Sequence, residues 1–269
     1  MFKNVSLGRY YDTGSVLHNT DPRVKIVLYL IYLIITFMIN TWAGLLSLAL
    51  ITVLQGVAAK MPPKIMISSV RPVILLALFI FALNAFTQRQ GTPVFQKGII
   101  MVTDEGLKTA FFMSLRLIFL IMSTSILLTL TTTPLKISDA LEKMFSPLSV
   151  IKFPVHEMAM MMSIALRFIP TLIDETDKIM KAQASRGADY DTGNIISRVK
   201  GYITVLIPLF ISSFKRAEEL ATAMDARCYR GGEGRTKLNP LKLTGRDAFV
   251  ALIMLIGAGL ILAADFLVK

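Results

Sequence analysis

The chain has 269 residues, 54% of them hydrophobic, with a mean hydropathy of +0.61 and a formal net charge of +11. Apolar residues gathered in long blocks exclude an ordinary soluble enzyme and point to a polytopic membrane protein, in which excess Lys and Arg marks cytoplasmic loops and not a nucleic-acid surface. One cysteine excludes an internal disulfide and, with two histidines, any Cys/His metal cluster.

The first 20 residues are polar and lack the apolar stretch of a cleavable signal peptide. His18 lies in this lead-in and reads either as a functional group or as a solvated or capping one. Asp21-Pro22 has the form of a helix start, with Asp as N-cap and Pro at the first helical position. Ile26 to Ala59 then gives 34 residues without a charge. A single helix of that length would measure about 51 Å against a hydrocarbon core of about 30 Å, so it must split. Asn40-Thr41-Trp42 is the natural turn, with the only tryptophan at interface level.

Lys60, Lys64 and Arg71 flank Pro62-Pro63 as a basic loop, and a short third crossing is expected from Pro72 to about Phe86. Residues 87–106 form a polar return, and Leu107 to Leu130 is a fourth crossing whose single interior charge is Arg116. The segment 131–247 has no 18-residue apolar run and holds 17 of the 29 Lys and Arg. Ala248 to Val268 is the fifth crossing. With the N-terminus inside, the inner segments carry 24 basic residues against three outside, which puts 131–247 in the cytoplasm and the C-terminus outside. The fold class expected is all-α: a membrane domain over 1–134, a cytoplasmic module over 135–242, and a last crossing over 243–269.

Within the cytoplasmic block, Ser138 to Phe145 reads as a short amphipathic helix lying on the membrane surface, closed by Pro147. A long helix starts at Val155, with an apolar stripe of Val155, Met158, Met161, Met162, Ala165, Phe168, Ile169, Leu172 and Ile179. Arg167, Asp174, Glu175, Lys178 and Lys181 lie on the other side, where Asp174-Glu175-Asp177 reads as a solvated face. A second long helix repeats the habit with Ile203, Leu206, Ile207, Phe210, Phe214, Ala217, Leu220 and Met224 opposite Lys215, Arg216, Glu218 and Glu219. Pro170 and Pro208 are expected to kink them. The two segments form a weak repeat: Arg186 follows Pro170 by 16 residues and Arg227 follows Pro208 by 19.

Each long helix therefore ends in an arginine among small residues: Ala184, Ser185, Arg186 and Gly187 in one, Ala226, Arg227 and Cys228 in the other. A cation at a helix C-terminus meets the negative end of the macrodipole, worth about 0.3–1 kcal/mol, and either end alone needs no other account. Two such ends on one side of a membrane also make a pair of docking points. Small neighbours allow close approach, and guanidinium is a rigid fork for carboxylates.

The sequence resembles the transmembrane T component of energy-coupling factor transporters along nearly its whole length. The matching stretches are Ser15-Val16-Leu17-His18 with Asp21-Pro22-Arg23, Glu105-Gly106-Leu107, Leu130-Thr131-Thr132-Thr133-Pro134 and His156-Glu157. They continue through Ala165-Leu166-Arg167-Phe168-Ile169-Pro170, Ala182-Gln183, Arg186-Gly187, Pro208-Leu209-Phe210, Arg216-Ala217 and Ala223-Met224-Asp225-Ala226-Arg227. The resemblance implies two cytoplasmic coupling helices whose Ala-Arg-Gly-type motifs dock two ATP-binding cassette ATPase subunits. It also implies a substrate-binding S component held in the plasma membrane, and import of a vitamin or metal ion driven by the partners' ATP hydrolysis. The chain itself would be a non-catalytic subunit without cofactor or metal. Ser185 stands where alanine is typical and Cys228 where glycine is typical. Because cysteine enters the left-handed conformation at a cost, the second helix is expected to run on to Gly231-Gly232.

Arg116 inside a span is a functional candidate by default: it pairs with a partner subunit, snorkels, or bonds hydroxyls near Ser114 and Ser123. Met158, Met160, Met161 and Met162 read as core filler or as an adaptable surface for different S components. The single stretch Arg230 to Arg235 reads as a flexible loop and not as an RNA-binding repeat. No Gly-x-x-x-x-Gly-Lys-Ser/Thr is present, His156-Glu157 lacks a second histidine four residues on, and the two histidines build no nucleophile triad. Two other readings stay open. A conventional importer permease would need a glycine where Asp225 follows Glu219-Leu220-Ala221, and a membrane enzyme on lipid or prenyl chains would have only Asp174-Glu175-Asp177 for paired carboxylates.

Overall fold

The computed structural model describes residues 10–11, 13–88, 90–97, 100–188, 190, 194–232 and 241–268. Arg89 and the Glu233–Arg235 end of the glycine-arginine stretch lie outside them. The fold is that of an all-α membrane protein with one short hairpin. Its chain divides into two compact units, one of Gly8–Ile137 with Leu241–Lys269, the other containing Ser138–Pro240.

The first unit carries the spans. Asp21 caps α1 (Pro22–Met38) by accepting from Arg23 N, with Pro22 at the first helical position, as the sequence predicts. The long apolar run divides at the predicted turn: α2 (Trp42–Ala58) begins at the tryptophan, with Thr41 as N-cap. The third crossing differs from expectation. Instead of a short helix from Pro72, α3 (Pro63–Val70), one 3₁₀ turn (Arg71–Val73) and α4 (Ile74–Thr87) make a 25-residue apolar helical run. Pro72 does not break it because the chain tightens to 3₁₀ geometry there, which accommodates a residue without an N–H.

The polar return contains an unpredicted antiparallel hairpin, β1 (Pro93–Lys97) with β2 (Ile100–Thr103), paired Gln96 to Met101 and Lys97 to Ile100. Thr103 then caps α5 (Asp104–Thr124), which continues through a π-helical turn (Ser125–Leu130) into a 27-residue span. The last span, α9 (Gly245–Val268), has 24 residues. The apolar core lies where α1, α2, α5 and α9 meet, around Ile35, Ile39, Leu48 and Ile261. A buried polar ladder crosses the same helices, from Tyr32 to Thr52 at 2.5 Å and from Ser123 to Gln55 at 2.8 Å. Hydrogen bonds of this kind compensate the polar groups taken out of water.

The second unit holds most of α6 (Pro134–Phe145), a 3₁₀ stretch (Ser146–Ile151), α7 (Val155–Ser185) and α8 (Ile195–Ala226). Pro170 and Pro208 both lie inside continuous helix. His156 at the base of α7 pairs with Glu142 of α6 at 3.0 Å, and Gly232 packs flat on the same imidazole, where a Cβ would come within 2.8 Å of the ring. The chain after α8 is thereby brought back onto the start of α7.

Candidate functional site

α7 and α8 end in the same way. Arg186 is the C-cap of α7 at φ −93°, ψ 8°, and Arg227 the C-cap of α8 at φ −92°, ψ 11°. The next residue is left-handed in both, Gly187 at φ 88° and Cys228 at φ 55°. The bonds that close the two ends also correspond. Ala188 N donates to Gln183 O at 2.9 Å and Gly187 N to Ala184 O at 3.0 Å; Tyr229 N donates to Met224 O at 3.1 Å and Cys228 N to Asp225 O at 2.9 Å. Both are Schellman ends, which satisfy carbonyls that a bare helix terminus leaves unpaired.

The expected extension of α8 to Gly231-Gly232 is therefore overturned: the helix stops at Ala226 and Cys228 takes the left-handed position. The stop is closed by the two Schellman bonds, and beyond it the chain turns so that Gly232 lies against His156. Ala184, Ser185, Arg186 and Gly187 are all exposed, as are Ala226, Arg227 and Cys228. Ser185 presents as small a surface as alanine would, because its hydroxyl folds back onto Lys181 O at 3.1 Å. Each arginine thus stands at an open helix end beside small side chains, with its guanidinium available to a carboxylate.

Behind the two ends, α7 and α8 are joined through their polar sides. Glu175 accepts from Ser212 Oγ and from Arg216 Nη2. Glu175, expected on a solvated face, is instead part-buried in this staple, as is Arg216. The consequence lies on the other side of α8. Its apolar stripe is left exposed, Ile207 to 57%, Phe210 to 65% and Phe214 to 61%. Met158, Met161 and Met162 on α7 are exposed as well, so they do not fill a core within this chain.

Arg116 is elsewhere, buried in the span-bearing unit. It donates to the carbonyl of Ile39 at the end of α1, and its guanidinium lies 4.9 Å from the centre of the Phe112 ring. The expected hydroxyl partners are otherwise occupied, Ser114 with the carbonyls of Ala77 and Ala110, Ser123 with Gln55. Asp265 of α9 completes this end by accepting from Asn40 N, Thr41 N and Thr41 Oγ1 at 2.7–3.0 Å. Gly44 is required beside it, since a Cβ there would sit 2.7 Å from Asp265 Oδ1. His18 is likewise built into the fold. Its Nε2 donates to Tyr11 O at 2.7 Å, and its Nδ1 lies 2.7 Å from Ser15 Oγ.

Comparison with known proteins adds a family to this geometry. The profile of the family described as cobalt transport protein, CbiQ, matches residues 13–238. The energy-coupling factor transporter transmembrane protein EcfT of Ruminiclostridium cellulolyticum is 50% identical over 250 residues, covering 93% of each chain. The protein of the same name from Clostridium kluyveri is 48% identical over 95% of each chain. That of Bacillus subtilis is 44% identical over 97% of this chain and 98% of its own.

Proposed function

Since the chain belongs to the CbiQ cobalt transport protein family, we propose that it is the transmembrane coupling subunit of an energy-coupling factor importer. In this reading the unit containing α7 and α8 is cytoplasmic. Arg186 and Arg227 dock one ATP-binding cassette subunit each, and the movement of those ATPases on ATP hydrolysis is relayed through α7 and α8 to a substrate-binding S component in the plasma membrane. The cargo is a vitamin or a metal ion, bound by the S component and not by this chain. The chain does no chemistry of its own.

The observation that carries the reading is the equivalence of the two helix ends. One arginine at a helix C-terminus is explained by the macrodipole. Two that share cap dihedrals, closing bonds, exposure and small neighbours form a matched pair suited to two copies of a similar acidic groove. The exposed faces of α7 and α8 fit the same reading: Met158, Met161 and Met162, with Phe210 and Phe214, offer soft apolar area to an S component that can be exchanged.

The test is co-purification of the ATPases with the chain carrying Arg186→Ala and Arg227→Ala. The doubly substituted chain is expected to insert normally in the membrane and to lose the ATPases or coupled uptake. Normal assembly together with normal transport would overturn the docking role.

A further inference from the structure

Among the described residues, two covalent links join the span-bearing unit to the unit of α7 and α8. The chain leaves through α6, with the boundary between Ile137 and Ser138, and returns at Leu241. On the span side, both links are fastened to alternate residues of a single turn, the first turn of α1.

Lys25 holds the outgoing link. Its ammonium group, in a residue only 2% exposed, donates to Thr131 O at 3.0 Å, Thr131 Oγ1 at 3.3 Å and Thr132 Oγ1 at 3.2 Å. Arg23 holds the returning link: Nη2 donates to Leu241 O at 3.2 Å while the guanidinium is forked onto Asp21 at 2.8–3.3 Å. A third tie lies between them. Asp21 N donates to Asp247 Oδ1 at 2.7 Å, and Asp247 Oδ2 accepts from Thr244 N at 2.7 Å and Thr244 Oγ1 at 2.8 Å.

Helix termination does not require this arrangement. Thr131 Oγ1 already back-bonds to Leu127 O at 2.7 Å, so the end of α5 has its own hydroxyl cap. Burying an ammonium against neutral oxygens carries a desolvation cost that a methionine at the same place would avoid. What the lysine adds is a fixed position for the strand of chain that enters α6. Were that strand released, Thr131 to Thr133 could stretch toward their full extended length of about 10 Å, slack that would absorb part of a movement arriving through α6.

We infer, on the basis of the coupling role proposed above, that Arg23 and Lys25 are positioning residues for energy coupling. They clamp both links at the base of α1, so that displacement of α7 and α8 is delivered to the spans and not lost in loose chain.

The test uses the whole complex in liposomes, with the S component that co-purifies with it and the radiolabelled vitamin that this S component binds as the probe, and reads vitamin moved per ATP hydrolysed. Lys25→Met keeps the stem and removes the donors. Arg23→Lys keeps the charge and loses the fork that spans Asp21 and Leu241. Both variants are expected to assemble and to hydrolyse ATP near the wild-type rate, while vitamin moved per ATP falls roughly fivefold or more. Amide exchange at 131–137 and 241–244 is expected to quicken in both. If Lys25→Met fails to reach the membrane, Arg23→Lys decides alone, since that side chain is already 23% exposed. An unchanged ratio in a variant whose exchange has quickened overturns the clamp, and so does unchanged exchange in every variant that assembles. A wild-type complex that moves no vitamin with ATP overturns the coupling reading itself, and this inference with it.

Discussion

Cys228 shows how a small local cost yields to a larger local gain. A left-handed L-residue costs about 1–2 kcal/mol, whereas the two Schellman bonds it allows contribute about 0.5–1.5 kcal/mol each. The seating of Gly232 on His156 adds to the gain. The same balance holds at the end of α2, where Lys60 takes φ 54° and Met61 N closes onto Gly56 O at 3.0 Å. That end has Ala59 as its cap, so the Schellman motif is not peculiar to the two arginine ends, and the docking proposal rests on the exposed arginine at the cap. Cys228→Gly is accordingly expected to raise stability by about 1 kcal/mol and to leave ATPase binding intact, as thermal unfolding and co-purification can check. A fall in stability would mean that the thiol makes a contact worth more than the strain. The sequence made Gly187 legible as a stop because glycine is at home in that conformation. It hid Cys228 because no local pattern shows that the closing bonds outweigh the strain of a cysteine at that place.

The helices themselves were legible. Period-3.6 stripes located α7 and α8, Asp21-Pro22 located α1, and Asn40-Thr41-Trp42 located the turn before α2. What the stripe could not tell was which side of α8 packs on α7. In a single globular domain the apolar side faces the core, but a chain that assembles with others can keep that side for a partner and use polar groups for its own internal packing. The Glu175 staple does this with Ser212 and Arg216, 37 and 41 residues further along, a pairing no local pattern reveals. A double-mutant cycle of Glu175→Gln and Arg216→Met is expected to give a coupling energy of about 1 kcal/mol, between the values for exposed and buried pairs. Additive effects would mean that the staple does not hold the helix pair. The hairpin of 93–103 escaped detection for a simpler reason: its strands are only five and four residues long, too short for a period to register against glycine and proline.

For the molecule as a whole, composition and hydropathy blocks established the class, and they misjudged one span. Pro72, which by pattern starts the third crossing, lies within the helical run Pro63–Thr87. The spans are locked at both ends by charged groups placed where helices meet: Arg116 and Asp265 around the α1–α2 turn, Lys25, Arg23 and Asp247 around the start of α1. Such groups would be costly facing lipid, and each is turned into a contact between helices. A span-bearing unit tied in this way suits a subunit that must hold its form while two helix tips are moved from outside. The central claim is that those tips meet the ATPases on the cytoplasmic side. Cys228, the only cysteine of the chain and exposed beside Arg227, reports on it directly. An impermeant maleimide is predicted to label it in inside-out vesicles and not in right-side-out ones, with labelling falling once the ATPases are bound. Labelling from the outer face, or labelling unchanged by stoichiometrically bound ATPases, would contradict the account.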